Sequence, residues 1–212
     1  MIKVHHLSNS HSHVVLWLLE ELGLDYEIVR HQRDPSTRRS PQSLRDVHPA
    51  AKAPTIEDRG CTMIESTGVI LYILETYGDG RLRPPPGTSA AMSFYQWLTY
   101  MEGSAKAPLM MVGWARRLGG GAQTAMVEEN LKVPLALIDD ALAGREFIAG
   151  DAFTAADIQL CFLEELAEGM DRIAPYANMR AHLERMRARD GYRRAESKGG
   201  PVGLKAMFAA LR

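Results

Sequence analysis

The chain has 212 residues, of which 46% are hydrophobic and 24% charged, and its formal net charge at pH 7 is −1. This composition is typical of a globular protein, and the lack of a basic excess argues against a nucleic-acid-binding protein. No apolar run reaches the roughly 18 residues that a membrane-spanning helix needs. We therefore predict a soluble, cytoplasmic protein that binds neither membranes nor nucleic acids.

Strand and helix patterns alternate over the first 80 residues. Short β-branched runs predict strands, and apolar side chains at helical spacing predict helices between them. Ser66 precedes an apolar helical pattern, so we predict that it caps a helix there. The predicted order is strand, helix, strand, irregular helical segment, two hairpin strands and helix, over residues 2–7, 13–22, 25–31, 35–47, 53–57, 61–64 and 66–78.

The three consecutive prolines Pro84, Pro85 and Pro86 cannot continue a helix, so they predict a linker at about residues 78–88. Beyond the linker the pattern is helical throughout, with Thr154 and Asp157 forming a capping-box pair before the third stretch. We predict two domains, 1–80 and 88–212. The predicted helical stretches are 89–117, 123–143, 155–168, 176–189 and a short one from about 202, with Gly119, Gly120 and Gly121 separating the first two.

Five short segments together resemble a known family. They are HLSNSHS (6–12), VLWLLEELGL (15–24), HPAAKAP (48–54), ESTG (65–68) and FTAAD (153–157). In order and spacing they resemble the cytosolic glutathione S-transferases, in the bacterial and fungal branch, over essentially the whole chain. The resemblance implies an α/β plus all-α fold. A thioredoxin-like βαβ-ββα N-terminal domain would bind glutathione, and a helical-bundle C-terminal domain would carry the electrophile pocket and the dimer contacts.

A glutathione site must hold two carboxylates, an ammonium group and a thiol. A helix N-terminus exposes unpaired amides and a positive dipole end, so Ser66 suits the γ-glutamyl carboxylate that the family places there. Glu65 beside it would accept from the ligand's ammonium. The resemblance implies a cis Ala53–Pro54 bond that aims the Ala53 backbone at the cysteinyl group, and it places Lys52 opposite the glycine carboxylate. The alternatives are a plain cap, a trans turn proline and a solvated lysine.

The thiol of glutathione needs activation, because an unperturbed thiol titrates near about 8.5. A hydrogen-bond donor beside the sulfur and the N-terminus of the first helix would both favour the thiolate. Ser10 is the first candidate donor. Asn9 occupies the position that theta-like members of the family use, and Ser12 is the third candidate, which we also expect to cap the helix.

The resemblance also assigns roles outside the first domain. Family members often carry an acid near Glu102 that reaches a γ-glutamyl ammonium bound by the other subunit; a salt-bridged helix glutamate is the alternative. Met110, Met111 and Trp114 would line the pocket for a small, apolar electrophile, although ordinary core packing also explains them. His11 would lie at the mouth of this pocket. The implied partners are glutathione, an electrophile and a second copy of the chain.

The sequence departs from the family pattern at several positions. The branch usually has arginine where His11 stands, another polar residue and arginine where His13 and Val14 stand, and glycine where Ala51 stands. Loss of the basic residues weakens the positive field beside the thiolate. We therefore expect these departures to affect the catalytic rate rather than glutathione binding.

We predict no metal site and no cofactor other than glutathione as co-substrate. Adjacent strand residues point to opposite faces, and no acid or cysteine completes a ligand set around the four N-terminal histidines. Cys61 and Cys161 match neither metal nor redox spacing, so we predict two reduced, buried thiols. The histidines concerned are His5, His6, His11 and His13.

The function implied is a detoxifying transferase that joins the glutathione thiolate to electrophilic carbon, with Ser10 or Asn9 stabilising the sulfur. One alternative is glutathione-dependent reduction of peroxides or disulfides, which the lack of a cysteine in the first loop disfavours. Another is a non-catalytic carrier or regulatory protein with the same fold.

Overall fold

The computed structural model describes residues 1–34, 37, 39–117 and 122–209. Its contacts separate two compact units. The first is Met1–Arg81 with Ala188–Gly203, and the second is Leu82–Arg187 with the described part of Leu204–Arg212. The first unit thus includes a C-terminal segment that the sequence analysis assigned to the second domain. The predicted domain limits, 1–80 and 88–212, stay predictions.

A four-stranded mixed sheet in the order β2-β1-β3-β4 forms the centre of the first unit. β1 runs parallel to β2 and antiparallel to β3, and β3 runs antiparallel to β4. This arrangement confirms the predicted thioredoxin-like fold. The strands are β1 Ile2–Leu7, β2 Tyr26–His31, β3 Thr55–Asp58 and β4 Cys61–Ile64.

Ten α-helices and one π-helical segment, Met101–Ala105, lie in the described ranges. The predicted helix over 89–117 is continuous, but the π-helical segment interrupts its α-helical hydrogen bonds. The predicted break at Gly119–Gly121 and part of the predicted segment 35–47 lie outside the described residues. The helices are α1 Ser12–Leu22, α2 Gln42–Val47, α3 Ser66–Tyr77, α4 Ser89–Tyr100, α5 Lys106–Arg117, α6 Ala122–Ala141, α7 Ala155–Gly169, α8 Ala177–Arg187, α9 Asp190–Gly199 and α10 Leu204–Ala209.

Helix α9, which the sequence patterns missed, packs along α1 within the first unit. The Tyr192 ring stands edge-on to Trp17 at a centroid distance of 5.2 Å. Arg194 donates to the buried carboxylate of Glu20 at 3.0 Å. Arg194 therefore links α9 to α1.

The second unit is centred on α7, whose residues are almost all buried. The predicted capping box is confirmed: Asp157 accepts from the Thr154 backbone N–H at 2.8 Å. His182 lies between two further buried oxygens, 3.3 Å from Asp157 Oδ1 and 2.8 Å from Glu164 Oε2. None of the described helices is long and apolar enough to span a bilayer.

Candidate active site

The register of the sheet brings three segments together at one end of the strands, where β1 and β4 end and β3 begins. His5 on β1 pairs with Thr55 on β3, and Thr55 pairs with Ile64 on β4. Because both pairings are antiparallel, the residues just before Thr55 run beside those that follow β1 and those that follow Ile64. The turn after β1, the Ala53–Pro54 segment and the start of α3 are therefore neighbours.

Ser66 is the first residue of α3, not its cap as predicted; Glu65 occupies the cap position without making a side-chain cap bond. Glu65 has φ 74° and ψ 108°, a sparsely populated conformation of the kind that collects at functional sites. Neither the backbone N–H nor the hydroxyl of Ser66 has a hydrogen-bond partner among the described residues. An anion placed there would meet free donors and the positive end of the helix dipole.

The segment before β3 presents its backbone at the same end of the strands. The Ala53–Pro54 peptide bond is cis, as the resemblance implied. In the described part of the chain, the N–H and C=O of Ala53 have no hydrogen-bond partner, so they are available to an extended ligand. Lys52 is exposed, while its carbonyl oxygen accepts from the Thr55 hydroxyl at 2.6 Å.

The turn of residues 8–12, called the thiol turn below, carries Asn9 in a left-handed conformation with φ 55°. Asn9 Oδ1 accepts from the backbone N–H of Gly203 at 2.7 Å, and its carbonyl oxygen accepts from Arg33 at 3.3 Å. Since the Gly203 donor requires the oxygen, the Asn9 Nδ2 group is turned away from it. Nδ2 has no hydrogen-bond partner among the residues described.

Ser10 and Ser12 of the thiol turn are hydrogen-bonded to each other, and Ser12 is also hydrogen-bonded to β1. Their hydroxyl oxygens are 2.8 Å apart, and Ser12 Oγ lies 2.9 Å from His6 Nδ1. The completely buried Ser12 also accepts from the Leu7 N–H at 3.2 Å. The prediction that Ser12 caps α1 is wrong: it is the first helical residue, and His11 holds the cap position without a side-chain cap bond.

The histidines near the thiol turn are buried, and the role predicted for His11 stays a prediction. His11 is 6% exposed and His13 is 3% exposed. Burial lowers the pKa of His13 to about 3, so this residue is neutral at physiological pH and cannot replace the basic field of the family pattern. Ala51, where the family usually has glycine, adopts φ 48°, the left-handed region that favours glycine.

The remaining predicted site residues belong to the second unit. Glu102 lies in the π-helical segment and accepts from the Lys106 ammonium at 2.8 Å. Met110 on α5 is half-buried, whereas Met111 and Trp114 are exposed. The roles predicted for these residues stay predictions.

Sequence reasoning missed the residues whose hydrogen bonds connect the thiol turn to the C-terminal segment of the first unit. His6 Nε2 lies 3.0 Å from the carbonyl oxygen of Gly199, and Arg30 donates to the same oxygen at 3.1 Å. A side chain at position 199 would place its Cβ 2.6 Å from Leu16 and 3.3 Å from His6, so the close approach requires glycine. No sequence signal linked residues 199 and 203 to a turn near residue 9.

The cysteines differ in exposure. Cys161 is buried, as predicted, and burial raises the pKa of its thiol well above the usual value. Cys61 is exposed, so the prediction that it is buried is wrong; it lies on β4, one of the two outer strands of the described sheet. Among the described residues, no group of three or more histidine, cysteine or acidic side chains is placed to hold a metal ion.

Comparison with known proteins agrees with this geometry. Residues 5–85 match the family model of the glutathione S-transferase N-terminal domain. Glutathione S-transferase 3 of Schizosaccharomyces pombe is 30% identical over 220 residues, which cover 93% of this chain and 88% of that protein. A glutathione S-transferase crystal structure from Actinobacillus pleuropneumoniae matches with a TM-score of 0.90 at 28% identity, covering 96% of this chain and 95% of that one. The chain belongs to the glutathione S-transferase family.

Proposed function

We propose that the protein is a glutathione transferase that joins the glutathione sulfur to the electrophilic carbon of a small, largely apolar substrate. The bound thiol first loses its proton to solvent water. The thiolate then forms the sulfur–carbon bond. The electron pair displaced from the substrate carbon leaves with a departing group or takes up a proton. Glutathione is the co-substrate, and the proposal uses no other cofactor and no metal.

The observation that carries the proposal is a set of backbone groups at one end of the sheet that have no hydrogen-bond partner among the described residues. Within that part of the chain, the N–H and C=O of Ala53 are free, and this is the pair that the backbone of an extended cysteinyl residue requires. On the neighbouring segment, Ser66 offers a free N–H and hydroxyl at a helix N-terminus, which suits the γ-glutamyl carboxylate. Lys52 and Glu65 flank these groups with the charges that the glycine carboxylate and the ammonium need.

Stabilisation of the thiolate is assigned to the thiol turn. Asn9 and Ser10 are the two candidate side-chain donors to sulfur there, and the N-terminus of α1 adds its dipole. Holding the thiolate before the electrophile arrives supplies the rate advantage. The electrophile pocket, with His11, Met110, Met111 and Trp114, is part of the proposal.

The proposal includes a homodimer that acts in the cytoplasm in detoxification. Large apolar side chains are exposed on three of the described helices of the second unit, α4, α5 and α6; for example, Met92 on α4 and Val133 on α6 are 70% and 71% exposed. Such side chains favour burial against a second copy. Sedimentation of the purified chain tests this, and a monomer at micromolar concentration would contradict it. Glu102 reaching the partner's ligand is part of this proposal.

Binding and turnover measured together test the function. We expect calorimetry to detect glutathione binding and a chlorodinitrobenzene-type electrophile to be conjugated. Binding without conjugation would favour a carrier, and faster reduction of a peroxide or disulfide would favour the reductase alternative. Absence of glutathione binding would refute the proposal.

Ser66→Ala is expected to raise KM for glutathione about tenfold and leave kcat nearly unchanged. The substitution removes one hydrogen bond to a carboxylate, worth about 1.5 kcal/mol, in both the ground state and the transition state. Thr62→Ala, an exposed substitution on the neighbouring strand β4, is the matched control. Equal KM values for the two variants would remove Ser66 from the site.

A further inference from the structure

A continuous chain of hydrogen bonds runs behind the thiol turn. It joins Ser10 Oγ to Ser12 Oγ at 2.8 Å, Ser12 Oγ to His6 Nδ1 at 2.9 Å, and His6 Nε2 to the Gly199 carbonyl oxygen at 3.0 Å. Ser12 and His6 are buried, so water does not compete for the Ser12–His6 and His6–Gly199 bonds; the Ser10–Ser12 bond is part-buried. This series of hydrogen bonds connects the C-terminal segment of the first unit to Ser10, a residue of the candidate site.

The Gly199 end of this series of hydrogen bonds determines which group donates in each bond. The Gly199 oxygen can only accept, so the hydrogen on the His6 ring must be on Nε2. Burial lowers the pKa of His6 to about 4, and the Arg30 charge acts in the same direction. The neighbouring ring of His13 is also neutral. His6 therefore has one hydrogen, and its Nδ1 is an acceptor.

The donors and acceptors at Ser12 and Ser10 follow from this assignment. Ser12 donates its only hydroxyl hydrogen to His6 Nδ1, because this buried acceptor would otherwise have no donor, whereas Ser10 has a hydroxyl hydrogen of its own; the Leu7 carbonyl oxygen is further away at 3.4 Å. Ser10 must then donate its hydrogen to Ser12 Oγ. Ser10 Oγ itself accepts from the Ser12 backbone N–H at 3.3 Å. Towards a ligand, Ser10 is left with acceptor capacity only, which favours a neutral thiol over a thiolate.

We propose that His6 is a positioning residue of the thiol site. Because its Nδ1 accepts from Ser12, the Ser12 and Ser10 hydroxyls both donate away from the ligand, and the Asn9 amide is left as the donor to sulfur. This inference rests on the proposed glutathione transferase function and deepens it. Asn9 is suited to the role because Gly203 holds its Oδ1, so that the unpartnered Nδ2 group can donate outward. The same C-terminal segment thus fixes both groups, through Gly199 and through Gly203.

Two variants of His6 separate the two ends of its ring. The Gln amide nitrogen reaches the position of Nε2, so His6→Gln keeps the donor to Gly199 and removes the acceptor for Ser12. The Asn amide oxygen reaches the position of Nδ1, so His6→Asn keeps the acceptor for Ser12 and removes the donor to Gly199. The measurement is the apparent pKa of bound glutathione, followed by thiolate absorbance against pH, with glutathione affinity from calorimetry alongside.

We expect the bound thiol pKa to be unchanged in Ser10→Ala and in His6→Asn. In His6→Gln it should fall, because the freed Ser12 hydrogen can turn to Ser10 and release the Ser10 hydroxyl to sulfur. Ser12→Ala removes the inward acceptor altogether and should lower the thiol pKa by about one unit, since a hydrogen bond to a charged group contributes about 1.5 kcal/mol. Adding Ser10→Ala to Ser12→Ala should cancel the fall.

Three results would overturn the inference: a rise in the thiol pKa in Ser10→Ala alone, no change in Ser12→Ala, or equal shifts in the two His6 variants. Ser12→Ala keeps the test decisive if a His6 variant does not fold. Failure of the proposed function is distinguishable, because the wild-type chain would then bind no glutathione in the calorimeter. Binding with an unresponsive thiol pKa would overturn the His6 inference alone.

Discussion

Replacing Asn9 with aspartate is expected to lower the rate of glutathione conjugation at neutral pH by about ten- to a hundredfold. Aspartate keeps the oxygen that accepts from Gly203 and tolerates the left-handed backbone, but it lacks the amide donor. Loss of a hydrogen bond to a thiolate, worth about 1.5–3 kcal/mol, raises the thiol pKa by about one to two units. Stopped-flow or steady-state conjugation assays across pH measure the effect.

The matched control for this prediction is Ser8→Ala, an exposed substitution in the same turn. It should leave the rate and the thiol pKa as they are. At high pH, where the thiol ionises without help, the rates of Asn9→Asp and the wild type should converge. A rate equal to the wild type at neutral pH would show that Asn9 does not contact the sulfur.

The second large effect concerns stability. His182→Leu is expected to lower the free energy of unfolding at neutral pH by about 3–5 kcal/mol, because Glu164 and Asp157 would lose their shared partner inside the protein. All three side chains are completely buried. Urea unfolding followed by circular dichroism measures the change. Met186→Leu, a buried substitution on the same helix, is the control and should cost less than about 1.5 kcal/mol.

The same cluster makes stability depend on pH. Burial alone lowers the pKa of His182, but the Glu164 charge and the hydrogen bonds to Asp157 and Glu164 outweigh it and raise the pKa to about 9. A pKa raised above the unfolded value of about 6.5 gives stability that is present below that value and lost as pH rises through the folded pKa. The wild type should therefore lose about 3 kcal/mol between about pH 6.5 and 9. An equal slope in His182→Leu would contradict the assignment.

The elements of the first 80 residues were largely predictable from local sequence. The strand limits at 2–7 and 61–64 agree with the structure, because each run is bounded by turn residues and has the period-two or β-branched character of a strand. Helix α9 was missed because its charged residues and terminal glycines look like a solvated surface, and its packing against Trp17 depends on a contact distant in sequence.

The candidate site, too, was only partly predictable from local sequence. Ser66 was singled out because a helix start leaves a local signal in the sequence, whereas the cis Ala53–Pro54 bond was implied by the family resemblance and is confirmed. The glutathione-binding roles of these residues stay predictions. The ranking of Ser10 above Asn9 could not be tested from sequence, because it depends on where a hydroxyl hydrogen points. That direction follows from His6 and from Gly199, which is almost the whole length of the chain away.

The C-terminal segment Ala188–Gly203 belongs to the same compact unit as the first strand. During synthesis, the N-terminal unit therefore cannot be completed until nearly all of the chain has left the ribosome. Before that point, α1 lacks its covering helix, and Asn9 and His6 lack the backbone partners that Gly203 and Gly199 supply. Nascent chains arrested before residue 188 should consequently bind glutathione weakly, however well their four strands have formed.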